Sequence, residues 1–279
     1  MSPFDSSQPN PYASPGMVEA QHHLNPAPAY GRVLSQLGIV VMRVWPIMLA
    51  VLLLLCLPWE MGLSYFVYTF LDEDVQSLLV ISLLSTVGQL SAVLLAETIV
   101  VAAAWRALQN EEQDIPAILW RGLLGFVYVF PAMLLSFFAI GFAMIACLLP
   151  GIYLNVRWMY ILPIAVVEGR GGVAPLQRSW QMTNVHQLFS IAIFFLFVVP
   201  MTVVMVAVAL PSEFLPEIDN WTLDAILTLV SDLATMVVCC GFTCTYYELL
   251  KSQAQPAKIL PEEPALVAAA FADAPRFGE

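Results

Sequence analysis

From Gly122 to Val156 the chain carries not one Asp, Glu, Lys or Arg. As a single helix that run would reach roughly 50 Å, far beyond a hydrocarbon core of ~30 Å. A soluble domain could not solvate such a stretch, and one membrane helix could not contain it. The chain must therefore fold back inside or at the edge of a bilayer. Within the run stands Pro150-Gly151. Proline cannot continue a helix, and glycine accepts the backbone angles of a tight turn. The pair is expected to close a short hairpin at the outer interface.

The rest of the 279 residues agrees. The chain is 60% hydrophobic and 11% charged, against about 25% charged in soluble domains. Six apolar stretches are expected as helices near Gly38–Pro58, Ser77–Ala104, Gly122–Leu149, Ile152–Val167, Leu188–Leu210 and Leu223–Leu249. The fold class expected is all-α, a polytopic membrane bundle of six transmembrane helices. Barrel strands would alternate with period two. Related lead-ins, "RVLSQLGIVVMRVWP", "AILWRGLLGFVYVFP" and "PLQRSWQMTNVHQLF", suggest three helix-hairpin repeats. Residues 1–33 read as a disordered polar tail, 34–250 as the membrane domain, and 251–279 as a second, acidic tail.

Basic residues set the orientation. Arg32, Arg43, Arg106, Arg121, Arg170, Arg178, Lys251, Lys258 and Arg276 all fall on one side of the six-helix scheme. The loops at 60–74 and 211–221 contain no Lys or Arg. By the positive-inside rule both termini are cytoplasmic. The residues up to 30 have no secretory pattern, so a cell inner membrane is the default. Trp45, Trp59, Trp105, Trp120 and Trp221 fall near helix ends, where an aromatic belt would sit.

Arg157 is the one basic residue that breaks the asymmetry. An arginine at a helix centre costs about 2.5–3.5 kcal/mol on insertion scales. One reading has it snorkel to outer phosphates. The other buries it in an intramembrane polar cluster with Asp232 and Gln89. Asp232, Met236, Cys239 and Thr243 share one face of helix six, and Ser82, Ser85, Gln89, Ala92 and Ala96 one face of helix two. Glu97 and Glu248 are expected near the inner interface, snorkelling or meeting basic groups.

Enzyme chemistry finds no support. His186 is the only histidine outside the first tail, where His22-His23 stand. No nucleophile pairs with His186. Gly62-Leu63-Ser64-Tyr65 lies on the opposite side, and Glu111-Glu112 lies in a loop. The five cysteines sit in apolar helices. Cys240 and Cys244 lie one turn apart, but with no histidine nearby they read as small hydrophobes. No metal set, P-loop or dinucleotide fingerprint appears, so no cofactor and no catalytic residue is assigned. A net charge of −11 argues against nucleic acid.

The stretch "PGIYLNVRWMYILPIAVVEGRGGVAPLQRSWQMTN" resembles the membrane-domain family of glycerophosphoryl diester phosphodiesterases and related free-standing bacterial membrane proteins. The residues that carry the resemblance are Pro150, Gly151, Arg157, Pro163, Glu168, Arg178 and Ser179. The family usually has a glycine after the Arg-Ser segment, where this chain reads Met182-Thr183-Asn184-Val185. The resemblance implies a helical membrane domain, not a hydrolase, whose soluble barrel has no room here. Association with a headgroup enzyme suggests lipid or amphiphile handling, with phospholipid headgroups as partners. Arg178 and Trp180 would then lie in an interfacial helix, Trp180 as its anchor and Arg178 near anionic headgroups or paired with Glu168. Membrane scaffolding, with a protein partner unidentified, belongs to the same non-enzymatic class. A small-solute transporter using the polar cluster is the alternative, and it should show broken helices lining a polar path.

Overall fold

A computed structural model describes the backbone of residues 30–62, 75–214 and 220–254. The tails expected at 1–33 and 251–279 lie largely outside these residues, as does His22-His23. So does Ser64. Every described element is helical. The helices are α1 (Tyr30–Val51), α2 (Val75–Leu108), α3 (Ile115–Ala146), α4 (Leu148–Trp158), α5 (Ile161–Glu168), α6 (Ala174–Val185), α7 (Gln187–Phe214) and α8 (Asn220–Ala254). A π-helical segment, Leu52–Cys56, extends α1. The described residues from Tyr30 to Glu248 form one compact unit.

Six stretches among the described residues are long and apolar enough to cross a membrane: Tyr30–Gly62, Thr86–Leu108, Ile115–Ala146, Leu148–Glu168, Gln187–Ala207 and Leu227–Gln253. They correspond one for one to the six helices expected from the sequence. The first begins at Tyr30, eight residues ahead of expectation, because its amphipathic lead-in is continuous with the span. α2 is deeply packed, with Val100 through Ala104 fully buried. The α3–α4 end is apolar outside as well as inside. Phe137, Phe142, Leu148 and Leu149 are exposed, and Ile145 is 84% exposed. Such a surface is stable only against lipid.

The hairpin in the long apolar run is real, but its turn is not where the sequence suggested. Cys147 alone is extended (φ −168°, ψ 139°), and its N–H still bonds Ala143 O at 2.9 Å. Pro150 and Gly151 lie inside the first turn of α4. There proline's missing N–H costs nothing, because the first four N–H groups of a helix have no intrahelical partner. Gly151 has a different task. A Cβ there would lie 2.4 Å from Met144 Cγ and 3.2 Å from its Cα. A one-residue turn leaves α3 and α4 in close contact, and only glycine fits the seam.

Two arginines cap helix ends, and a third bonds the loop that follows α2. Arg43 donates to Ala107 O at 3.1 Å and to Asn110 Oδ1 at 2.8 Å, closing the end of α2. Arg106 Nε donates to Glu112 O at 3.0 Å. Arg121 donates to Val166 O at 3.2 Å and Val167 O at 2.9 Å, closing the end of α5. Cations at helix C-termini satisfy the last carbonyls and suit the helix dipole. Trp105 corrects the aromatic-belt reading. It is 8% exposed and packs against Tyr246 and Tyr247, with centroids at 6.1 and 5.5 Å. Trp45, Trp59 and Trp120 are exposed, as a belt requires.

Gly122 lets the backbones of α3 and α2 come close together. An added Cβ would stand 2.8 Å from Ile99 Cα. Gly122→Ala should therefore destabilise the protein by ~1–3 kcal/mol. Gly38→Ala, with nothing within 4 Å, should be neutral or slightly stabilising on helix propensity. Thermal unfolding of the two purified variants in detergent checks the contrast.

Candidate functional site

The fourth span is two helices. Pro163 is the cause. It cannot donate to Met159 O, and its ring crowds that carbonyl. α4 ends at Trp158, Tyr160 leaves the helical region (φ −97°, ψ 6°), and α5 restarts with the bond Ile164 N–H to Tyr160 O at 3.0 Å. Pro163 thus falls in the first turn of a new helix, where it is tolerated.

A break buried this deeply exposes backbone polar groups that lipid cannot satisfy. α6 satisfies them. Ser179 Oγ donates to Arg157 O at 2.8 Å and accepts from Tyr160 N–H at 3.3 Å. Thr183 Oγ1 lies 3.3 Å from the same carbonyl and 2.9 Å from Ser179 O. Ser179, Thr183 and Tyr160 are all fully buried. The segment beginning at Ala174 is therefore a strap across the break, not an ordinary loop.

Arg157 stands at the end of α4, beside the break. It does not snorkel: it is 4% exposed. Its guanidinium donates to Tyr153 Oη at 2.6 Å, Asn184 Oδ1 at 3.1 Å and Gln187 Oε1 at 3.3 Å. The Tyr153 and Trp180 rings flank its carbon at 4.8 and 5.1 Å and meet edge to face. Nε has no partner among the described residues. Every partner is neutral. Thr183 and Asn184, within the stretch Met182–Val185, are both engaged here.

The expected ion pair of Arg157 with Asp232 is not among the ion pairs of the described residues. Arg157 faces α6 and the start of α7. Asp232 instead meets the Cys56 thiol and lies within electrostatic reach of Glu60. Gln89 joins this second group, by a hydrogen bond to Glu60. Two of the three residues of the expected cluster therefore belong together, and the arginine belongs elsewhere. Glu60, expected in an outer loop, is helical and 4% exposed. Glu97 does not snorkel: it is 8% exposed, beside Cys239. Glu248 accepts from Gln36 at 2.6 Å and lies 4.0 Å from Arg32.

Glu168 ties the strap's far end. Its carboxylate lies 2.6 Å from Arg170 Nε and 3.5 Å from Arg178 Nε, and it accepts from Tyr246 Oη at 2.5 Å. Arg178 is thus turned toward Glu168, while Trp180 covers Arg157 instead of acting only as an interfacial anchor. His186 is buried at the corner between α6 and α7. No group of three His, Cys, Asp or Glu in metal-holding arrangement occurs among the described residues.

Residues 120–257 match the family model for the membrane domain of glycerophosphoryl diester phosphodiesterase. Neither a curated protein nor a solved structure matches the chain. The matched span of the membrane domain holds the broken fourth span, its strap, Arg157, Glu168 and Asp232. Glu60, Gln89 and Glu97 lie ahead of it. The family model describes the membrane domain of those enzymes and not their catalytic domain.

Ser179→Ala should leave Tyr160 N–H unpaired in the membrane domain and cost ~1–3 kcal/mol. Ser35→Ala should cost far less, because Ser35 bonds only the exposed Arg32 carbonyl of its own helix. The comparison is read from thermal unfolding of both variants.

Proposed function

We propose that this integral membrane protein binds an anionic amphiphile, a phospholipid headgroup or its like, at Arg157, and that it does so without catalysing a reaction. The observation that carries the reading is a buried guanidinium held only by neutral oxygens. Desolvating a cation is costly, and a carboxylate is the usual compensation. Here three neutral acceptors and two aromatic faces surround the guanidinium, and no carboxylate meets it. Hydrogen bonds to charged groups contribute ~1.5–3 kcal/mol each, enough to hold the arginine in place without a counter-ion. A phosphate is the planar fork's natural complement. Tyr153 and Trp180 are 40% and 38% exposed, so the rim of the site meets the surroundings where headgroup and chain would enter.

Arg157→Gln should lose most of the anionic phospholipid that co-purifies with wild type, as counted by native mass spectrometry. Arg178→Gln, with its charge already answered by Glu168, should retain it. Equal lipid on wild type and Arg157→Gln would refute the reading.

A small-solute transporter is the second reading. It is favoured by the broken fourth span, since transporters place their sites at discontinuous helices. Solute-dependent uptake into proteoliposomes would decide for it.

For orientation, we propose a cell inner membrane with cytoplasmic termini. The support is the arginines that cap α2 and α5, read with the positive-inside rule. Cys147 is exposed and the other four cysteines are buried. A membrane-impermeant maleimide should label Cys147 from outside, and an Asn110→Cys variant that also carries Cys147→Ser only from within. The reverse pattern would invert the topology.

A further inference from the structure

The second polar group, on α1, α2 and α8, has no part in the Arg157 reading. Its centre is Asp232, 6% exposed. One carboxyl oxygen is met by the Cys56 thiol. The other, Oδ2, is buried and has no partner among the described residues. Cys56 is the last residue of the π-helical segment, and Glu60 follows one turn later. π-segments change the register of a helix and concentrate at functional sites. Here the segment directs a thiol and then a carboxyl toward α8.

Everything titratable that faces Asp232 among the described residues is an acid or a thiol. From the end of the first span come Cys56 and Glu60, the latter bonded to the neutral Gln89 amide of α2. From α2 comes Glu97, which meets Cys239, roughly 10 Å further along α8. None of the ion pairs among the described residues involves Glu60, Asp232 or Glu97. Three buried carboxyls without a cation cannot all be ionised in a low-dielectric interior, because like charges and desolvation both oppose it. No donor set for a metal ion is present among these residues. A proton is the ligand that a vacant carboxyl oxygen accepts with one bond and no coordination shell.

We infer that Asp232, flanked by Glu60 and Glu97, is a proton-binding site inside the membrane domain, with the proton carried on the vacant Oδ2. The step is a simple protonation. Solvent supplies the proton, the carboxylate oxygen accepts it, and the new O–H becomes a donor toward a neighbouring carboxyl. This site is separate from the Arg157 cluster, and it stands whether or not that cluster binds lipid.

The test is infrared titration of the full chain in lipid nanodiscs. At neutral pH the wild type should show a protonated-carboxyl stretch that shifts in heavy water and fades only on alkaline titration. Asp232→Asn, nearly isosteric, should remove a component of that band. Glu60→Gln should shift the frequency or midpoint of what remains, and this variant serves if Asp232→Asn fails to fold. Absence of the band at neutral pH would overturn the proposal. So would a band unaffected by Asp232→Asn, or by Glu60→Gln where only that variant folds. Loss of the band on adding sodium at constant pH would also overturn it, by assigning a metal cation to the site.

Discussion

The hydroxyl of Ser179 is the point on which the membrane domain turns. Pro163 forces a break in the fourth span, and lipid offers nothing to the carbonyl and N–H that the break exposes. One hydroxyl answers both, accepting from Tyr160 N–H and donating to Arg157 O. The amphipathic segment must therefore lie against the break and not float at the interface. Its position brings Trp180, Asn184 and, past the corner at His186, Gln187 to the guanidinium of Arg157. The break, the strap and the arginine site are one construction.

Electrostatics then sorts the interior into two regions. The arginine is surrounded by neutral dipoles and rings. The carboxyls of Glu60, Asp232 and Glu97 are surrounded by thiols, one amide and each other. Pairing the two sets would have been the simplest way to reduce both desolvation costs. Charges kept apart by the fold retain chemistry that an ion pair would extinguish.

Much of this was legible in the sequence, and the limits have physical causes. Six spans follow from apolar length, which local composition determines. A fold-back within the long uncharged run was required by bilayer thickness, but Pro150-Gly151 drew attention from Cys147, since proline is as acceptable in a first helical turn as in a loop. The break at Met159–Tyr160 could have been inferred from Pro163 by counting back four residues. That Ser179 would repair it could not, because the contact crosses nineteen positions in sequence. Asp232 is recognisable as a buried acid, but charge complementarity points it to Arg157, whereas helix packing puts Cys56 and Glu60 beside it. Glu60 escaped notice because it follows the last apolar residues of its span, and the π-turn that carries it inward leaves no composition signal.

The neutral coordination of Arg157 has an electrical consequence. Arg157 places a guanidinium charge in the interior with no carboxylate to cancel it. Such a charge inside a bilayer experiences the membrane potential, at about 2.3 kcal/mol for each elementary charge carried across 100 mV. Any rearrangement of α4 and α6 that shifts Arg157 along the membrane normal is therefore weighted by voltage, in proportion to the fraction of the field it traverses.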